Sequence, residues 1–294
     1  MREFKPFPQW TSLEDHAHPY ISGNGFAVRC RFIANWDPPK VHPTLTNNWF
    51  FVRTQYVELL YERGAPPFPF VLFTANSDDI VGEKHRRIAD DPRVQAWFTV
   101  NAGLVHSKVH PIPIGIANPG WEHGDVSHFN RIRAEAIPRT RLFYANYALR
   151  TNRAERERCL AETGIPLAQT EGDGWQGFGG GREMGGYPQP LPFERYLRDL
   201  ASTFFCISPH GNGIDCHRTW EALYLGAIPV VTRSRLTDAH RDIPMIVLDD
   251  WSDFRSINFS PELHQRTWGS FDITTLHMDR YMKRVEALIP STPR

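Results

Sequence analysis

The stretch from Ser208 to Glu221, SPHGNGIDCHRTWE, gathers small, cationic and acidic residues into one short segment behind the apolar run Phe204–Ile207. A loop that leaves a buried strand and feeds a helix sits where open α/β sheets bind ligands, beyond the carboxyl ends of the strands. Gly211 and Gly213 allow a ligand or another backbone to approach closely. The helix beginning near His217 offers unpaired N–H groups and a partial positive charge, which suit phosphate oxygens. Arg218, in the first turn, can add a charge-assisted bond to a diphosphate. Glu221 lies three residues on, on the same helical face, and its carboxylate can accept hydrogen bonds from both hydroxyls of a ribose. The bland alternative is a helix-surface pair of Arg218 with Glu221, next to glycines that only shape a turn. Trp220, Leu223 and Tyr224 are expected to face a sheet.

The elements that must position this segment can be read from hydrophobic periodicity and stop signals. Before residue 48 the chain is rich in Pro, His, Asn and aromatics, with one strand expected at Phe26–Ile33. Helical spacing predicts a helix from Trp49 to Arg63, stopped by Gly64. Phe68–Ala75 is a nearly all-apolar run that suits a buried strand. A turn at Asn76–Asp79, a helix at Glu83–Ala89 and strands at Val94–Val100 and Val109–Ile116 follow. Residues 117–140 mix glycine, proline and charge, and the domain boundary is placed near Pro138. A second alternation then runs through strand Arg141–Tyr147, helix Asn152–Thr163, helix Phe193–Ser202, strand Thr203–Ile207, helix His217–Leu225 and strands Ile228–Thr232 and Met245–Leu248. The last helix spans roughly Thr275–Leu288. Between them, Glu171–Pro192 is rich in glycine and proline and is expected to be a long loop, whose Gly177–Gly186 stretch is expected to act as a mobile lid or acceptor loop. Strand–helix–strand alternation in both halves predicts an α/β fold of two domains, 1–138 and 139–294, with a cleft between them and the last helix packing back on the first.

Composition narrows the classes. The chain has 294 residues, with 33 basic and 33 acidic side chains and a formal charge of zero. A dedicated nucleic-acid binder usually carries a basic excess, so no nucleic-acid partner is expected. Cys30, Cys159, Cys206 and Cys216 show neither metal-finger nor C-x-x-C spacing, which favours a reducing compartment. The first residues lack the apolar stretch of a signal peptide, and no apolar run has membrane-span length. The expected location is cytoplasmic, either free or peripheral at a membrane.

The pattern Ser208-Pro209-His210-Gly211, then Arg218-Thr219-Trp220-Glu221-Ala222, then Gly226-Ala227-Ile228-Pro229-Val230-Val231 resembles the donor-binding half of exostosin-like glycosyltransferases. There a Ser-Pro-x-Gly stretch leads to Arg-x-x-Glu-Ala and Gly-x-Ile-Pro-Val-Val. Asn101–Ile116, NAGLVHSKVHPIPIGI, and the strand–loop–helix around Asn146–Arg156 are similar to stretches of bacterial and viral relatives. The resemblance implies a GT-B fold of two Rossmann-like domains facing a central cleft. It also implies inverting transfer of a sugar from a nucleoside-diphosphate donor, such as a UDP- or GDP-sugar, to a glycan or other hydroxyl acceptor. The animal exostosins are longer and membrane-anchored, so their substrate is not carried over.

On this reading the donor set is Ser208, His210, Gly211, Asn212, Gly213, Asp215, Arg218 and Glu221, with Arg150, at the start of the second-domain helix, as a further phosphate contact. Arg153 is placed to touch phosphate beside it, against a plain solvated helix terminus for both. No Asp-x-Asp spacing occurs, the device by which the other common glycosyltransferase fold holds a divalent metal. The site is therefore expected to need neither metal nor cofactor. His16/His18 and His106/His110 find no convincing third ligand. Inverting transfer needs a base for the acceptor hydroxyl. Asp78 and Asp79, at the carboxyl end of a strand, are the first candidates, against a plain turn or capping role. His106 is the second, against a structural histidine. One rival is a dinucleotide-dependent oxidoreductase, but the Gly177–Gly186 stretch follows no strand and opens no helix, so that fingerprint fails. The other rival is a non-catalytic nucleotide- or sugar-binding module.

Overall fold

The computed structural model describes residues 15–34, 40–42, 44–118, 122–168 and 192–290. The Glu171–Pro192 loop lies almost wholly outside the described residues. The chain is α/β and divides into two compact units. The first comprises Met1–Val126, Asn212–His217 and Asp272–Arg294, and the second Ser127–Gly211 and Arg218–Phe271. The first unit is therefore built from three separate segments of the chain, the longest of them running to Val126.

In the first unit the elements run α1 (Gly23–Ala27), β1 (Phe32–Ile33), β2 (Lys40–Val41), β3 (Trp49–Arg53), α2 (Val57–Glu62), β4 (Phe70–Ala75), α3 (Arg86–Asp90), β5 (Val94–Thr99) and β6 (Val109–Pro111). They form a six-stranded mixed sheet of order β2-β1-β3-β4-β5-β6, in which only β2 is antiparallel to its neighbour. Central β4 is buried at all six positions, as expected of a strand paired on both sides and covered on both faces. Leu72 is in register with Phe50 on one side and Trp97 on the other, and these residues belong to the unit's core.

Several expectations fail here, among them the strand expected over Val109–Ile116, which is strand only over Val109–Pro111. Trp49–Arg63 is not one helix. Its aromatic and β-branched beginning, Trp49–Arg53, is strand β3, because pairing with β1 and β4 satisfies its backbone on both edges. Only Val57–Glu62 is α-helical. Phe26–Ile33 is not one strand either. Ser22 caps α1, its Oγ accepting from Gly25 N–H at 3.0 Å, which leaves only Phe32–Ile33 extended.

In the second unit the elements are α4 (Val126–Ala134, whose first residue belongs to the first unit), β7 (Arg141–Ala145), α5 (Arg153–Thr163), α6 (Phe193–Ala201), β8 (Thr203–Ile207), α7 (His217–Tyr224), β9 (Ile228–Thr232), α8 (Arg235–Ala239), β10 (Ile246–Leu248) and α9 (Pro261–Trp268). Four parallel strands lie in the order β10-β9-β8-β7. Their core holds Phe205, Ile207, Ile228 and Val230, closed by Trp251 and Phe254. Helix α7 is buried from Arg218 to Tyr224, so Trp220, Leu223 and Tyr224 do pack inward. Helices α4, α8 and α9 escape the sequence reading because they are short or carry few apolar positions. The final helix, α10 (Met278–Glu286), belongs to the first unit, where Tyr281 meets Phe26 edge-on at 6.2 Å. Among the described residues no helix is long and apolar enough to cross a membrane.

Candidate functional site

The second unit places its chemistry at the carboxyl ends of β7 and β8. Helix α7 leaves there, and its Arg218 is only 9% exposed. The Arg218 guanidinium donates from one nitrogen to the Asn146 carbonyl and from another to the Pro209 carbonyl, both at 3.0 Å. It therefore ties the loop after β7 to the loop after β8. Arg156 of α5, 6% exposed, does the same job from the other helix, donating to the His210 and Ala148 carbonyls at 3.0 and 2.8 Å. The two guanidinium carbons lie 5.3 and 5.7 Å from the ring centre of Tyr147, a distance at which the ring face attracts cations. Two buried positive charges thus meet at the strand ends where two helices begin, and both features favour an anion.

Glu221, 4% exposed, lies one turn further along α7. Its Oε2 accepts from the Tyr196 hydroxyl of α6 at 2.6 Å. Burial pushes its carboxyl up to about 7, against the opposing pull of the Tyr196 hydrogen bond and the Arg218 charge. Arg218 and Glu221 are therefore not a solvated helix-surface pair, and each is anchored to a different element.

The other residues singled out around this helix separate into frame and rim. Ser208 is buried, its hydroxyl engaged with Thr219 at 2.9 Å and its N–H with the Val230 carbonyl. It pins the strand end to α7. His210 is half-buried, with Nε2 at 3.3 Å from the Thr232 hydroxyl, and burial lowers its pKa. The Gly211 carbonyl accepts from the Asn152 amide at 2.9 Å. Arg150 is exposed in the loop before α5. Arg153 is paired with Glu157 on the helix surface at 2.6 Å.

Asn212, Gly213 and Asp215 belong to the first unit, where they meet the segments that follow β4, β5 and β6. The Asn212 amide donates to Asp78 Oδ2 at 3.1 Å. The Asp215 N–H donates to Asn101 Oδ1 at 2.9 Å, while Asp215 Oδ2 accepts from Ile114 N–H at 2.8 Å. Asn101 in turn donates to the Ser77 carbonyl at 3.1 Å. A Cβ on Gly213 would stand 2.5–2.8 Å from the Asn101 amide group, so this glycine is required by close approach. His217 Nδ1 donates to the Gly115 carbonyl at 2.7 Å. Asp78 and Asp79 are both exposed at the carboxyl end of β4. Asp78 has a partner that orients it, whereas Asp79 contributes its N–H to the Ser77 hydroxyl.

His106 does not join them. Its Nε2 meets Asp90 at 3.1 Å and its Nδ1 accepts from Lys108 N–H. Asp90 ends α3 just before β5, so His106 sits toward the amino ends of the strands, away from the Asp78 turn.

Sequence reasoning passes over Arg156, Tyr147 and Tyr196. Arg156, Cys159 and Thr163 are the buried positions of α5, while Arg153, one turn earlier, is exposed; spacing alone does not separate the two arginines, because residues three apart share a helical face. The chain matches no model of a known protein family and no curated protein.

Proposed function

We propose that this protein is a GT-B glycosyltransferase that moves a sugar, with inversion, from a UDP- or GDP-sugar to a hydroxyl of a glycan acceptor. The observation that carries the reading is the meeting of Arg156 and Arg218, both buried, at the carboxyl ends of β7 and β8, with Glu221 one turn along the same helix. A nucleoside diphosphate presents the complementary chemistry: a diphosphate for the guanidiniums and the amino end of α7, and a ribose diol for the carboxylate. In a GT-B enzyme one Rossmann-like domain holds the donor and the other supplies acceptor contacts and the base. The reading assigns the donor to the second unit and the acceptor to the first.

The chemistry follows. The acceptor oxygen forms a bond to the anomeric carbon as the bond from that carbon to the phosphate oxygen breaks. The nucleoside diphosphate leaves with the electron pair, its charge met by Arg218, Arg156 and the α7 N–H groups. Asp78, held by Asn212, takes the acceptor proton. No metal or further cofactor has a part in this reading, in keeping with the missing Asp-x-Asp spacing.

The direct test is thermal stability against UDP, GDP, CMP and dinucleotides. A native-state ligand at one hundred times its Kd should add about 2.7 kcal/mol of stability, so UDP or GDP should raise Tm. Stabilisation by a dinucleotide alone would return the oxidoreductase rival to favour, and no response to any nucleoside diphosphate would remove the proposal. For the base, Asp78→Asn should lower turnover about 10²–10⁴-fold and leave nucleotide affinity unchanged, with Asp79→Asn much milder. Full turnover in Asp78→Asn moves the base elsewhere.

A further inference from the structure

Tyr196 is a buried residue of α6 that makes one short hydrogen bond, to Glu221 Oε2 at 2.6 Å. That length falls in the charge-assisted range for a hydroxyl on a carboxylate. The phenol is held between aromatic neighbours, with Phe193 stacked at 6.1 Å and Tyr144 tilted at 6.1 Å. Its direction is therefore fixed by packing. We propose that Tyr196 is a positioning residue for the nucleotide site: it occupies Oε2, locks the plane of the Glu221 carboxylate, and leaves Oε1 as the oxygen that receives the ribose. The inference rests on the reading of Glu221 as the ribose acceptor.

Among the described residues, these groups face Glu221. Arg218 shares its helix, Tyr196 comes from α6 and Cys206 from β8, with Tyr144 of β7 behind the Tyr196 ring. Burial pushes the Cys206 thiol up to about 12 and raises both tyrosines, so these stay neutral near pH 7 and Arg218 carries the local charge. Glu221 itself titrates there, at about 7. The sign follows. A carboxyl whose folded-state pKa is raised contributes stability that is full below the ordinary glutamate value of 4.5 and is lost as pH rises through about 7. Ribose hydroxyls donate to the carboxylate form, so nucleotide affinity moves the opposite way and rises with pH through the same midpoint. Removing the Tyr196 hydroxyl withdraws a donor from the carboxylate, which carries both midpoints upward.

The test uses the full chain as wild type, Tyr196→Phe and Glu221→Gln. Thermal stability and UDP and GDP affinity are measured from about pH 5 to pH 9. In the wild type, affinity should be about tenfold weaker at pH 6 than at pH 8. In Tyr196→Phe the pH at which the stability loss is complete and the midpoint of the affinity rise should both move up by about one pH unit, the equivalent of one charge-assisted hydrogen bond, while the loss still begins near the ordinary glutamate value. Glu221→Gln should lose both pH dependences, which identifies the titrating group even if Tyr196→Phe folds poorly. An unmoved midpoint in Tyr196→Phe overturns the positioning role while leaving the nucleotide site intact. A wild type that binds neither nucleotide at any pH overturns the ribose reading, and the proposal with it.

Discussion

Gly115→Ala should destabilise the protein by about 2–6 kcal/mol, the sum of a strained backbone and a forced core displacement. Gly115 adopts φ +67°, and a Cβ there would stand 1.9 Å from the Ile21 carbonyl oxygen and 2.4 Å from its carbon. These are backbone atoms, so no side-chain rotation relieves the clash. The same Ile21 carbonyl accepts from Ile116 N–H at 2.8 Å, and the Gly115 carbonyl receives the His217 imidazole. Moving the turn away therefore breaks an inter-segment hydrogen bond and loosens the residue that precedes Arg218. Single domains of ordinary stability hold only about 5–15 kcal/mol in total, so a large drop in the urea midpoint, or loss of soluble protein, is the expected readout. An alanine variant with an unchanged midpoint would show that the Ile21–Gly115 contact yields cheaply. In the Ile112-Pro113-Ile114-Gly115 stretch, the last position is one where only glycine fits.

Arg218→Lys keeps the charge and should still lose most of the site. A lysine ammonium is a point donor and does not reproduce the planar fork that reaches the Asn146 and Pro209 carbonyls together. One buried carbonyl is left without its partner, at a cost of about 1–3 kcal/mol. The loops after β7 and β8 then keep only the Arg156 and Asn152 ties, and UDP or GDP affinity should fall about tenfold or more as the bidentate geometry is lost. Arg153→Lys is the control: it lies on the exposed face of α5 with Glu157 and should change stability by less than about 0.5 kcal/mol. Isothermal titration with each nucleotide, beside urea denaturation, separates the two effects. Lower stability with intact affinity would make Arg218 a strut between two loops and remove it from the donor site.

The Phe204–Glu221 segment was legible because strand, loop and helix are local events. An apolar run, a helix start near His217 and an inward-facing Trp220 follow from periodicity, and the structure holds them at the same residues. The partners of those residues were not legible. Tyr196 meets Glu221 from another helix, and Arg156 reaches the His210 carbonyl from a third. Nothing in local spacing encodes which buried polar groups satisfy one another. The misread Trp49–Arg53 has the same origin, since an apolar run suits either a helix or a strand until its neighbours supply hydrogen bonds.

By itself, the sequence determines the α/β alternation, the strand–loop–helix that carries Arg218 and Glu221, and the acidic turn at Asp78 and Asp79, because each depends on residues within a few positions of one another. Tertiary structure alone decided that Arg218 and Glu221 are buried, that Arg156 rather than Arg153 joins them, that Asp78 is the oriented member of its pair, and that His106 stands apart at the other end of the strands. The reason is desolvation. A guanidinium or carboxylate removed from water must find its hydrogen bonds in the fold, and those partners come from segments far away in the chain.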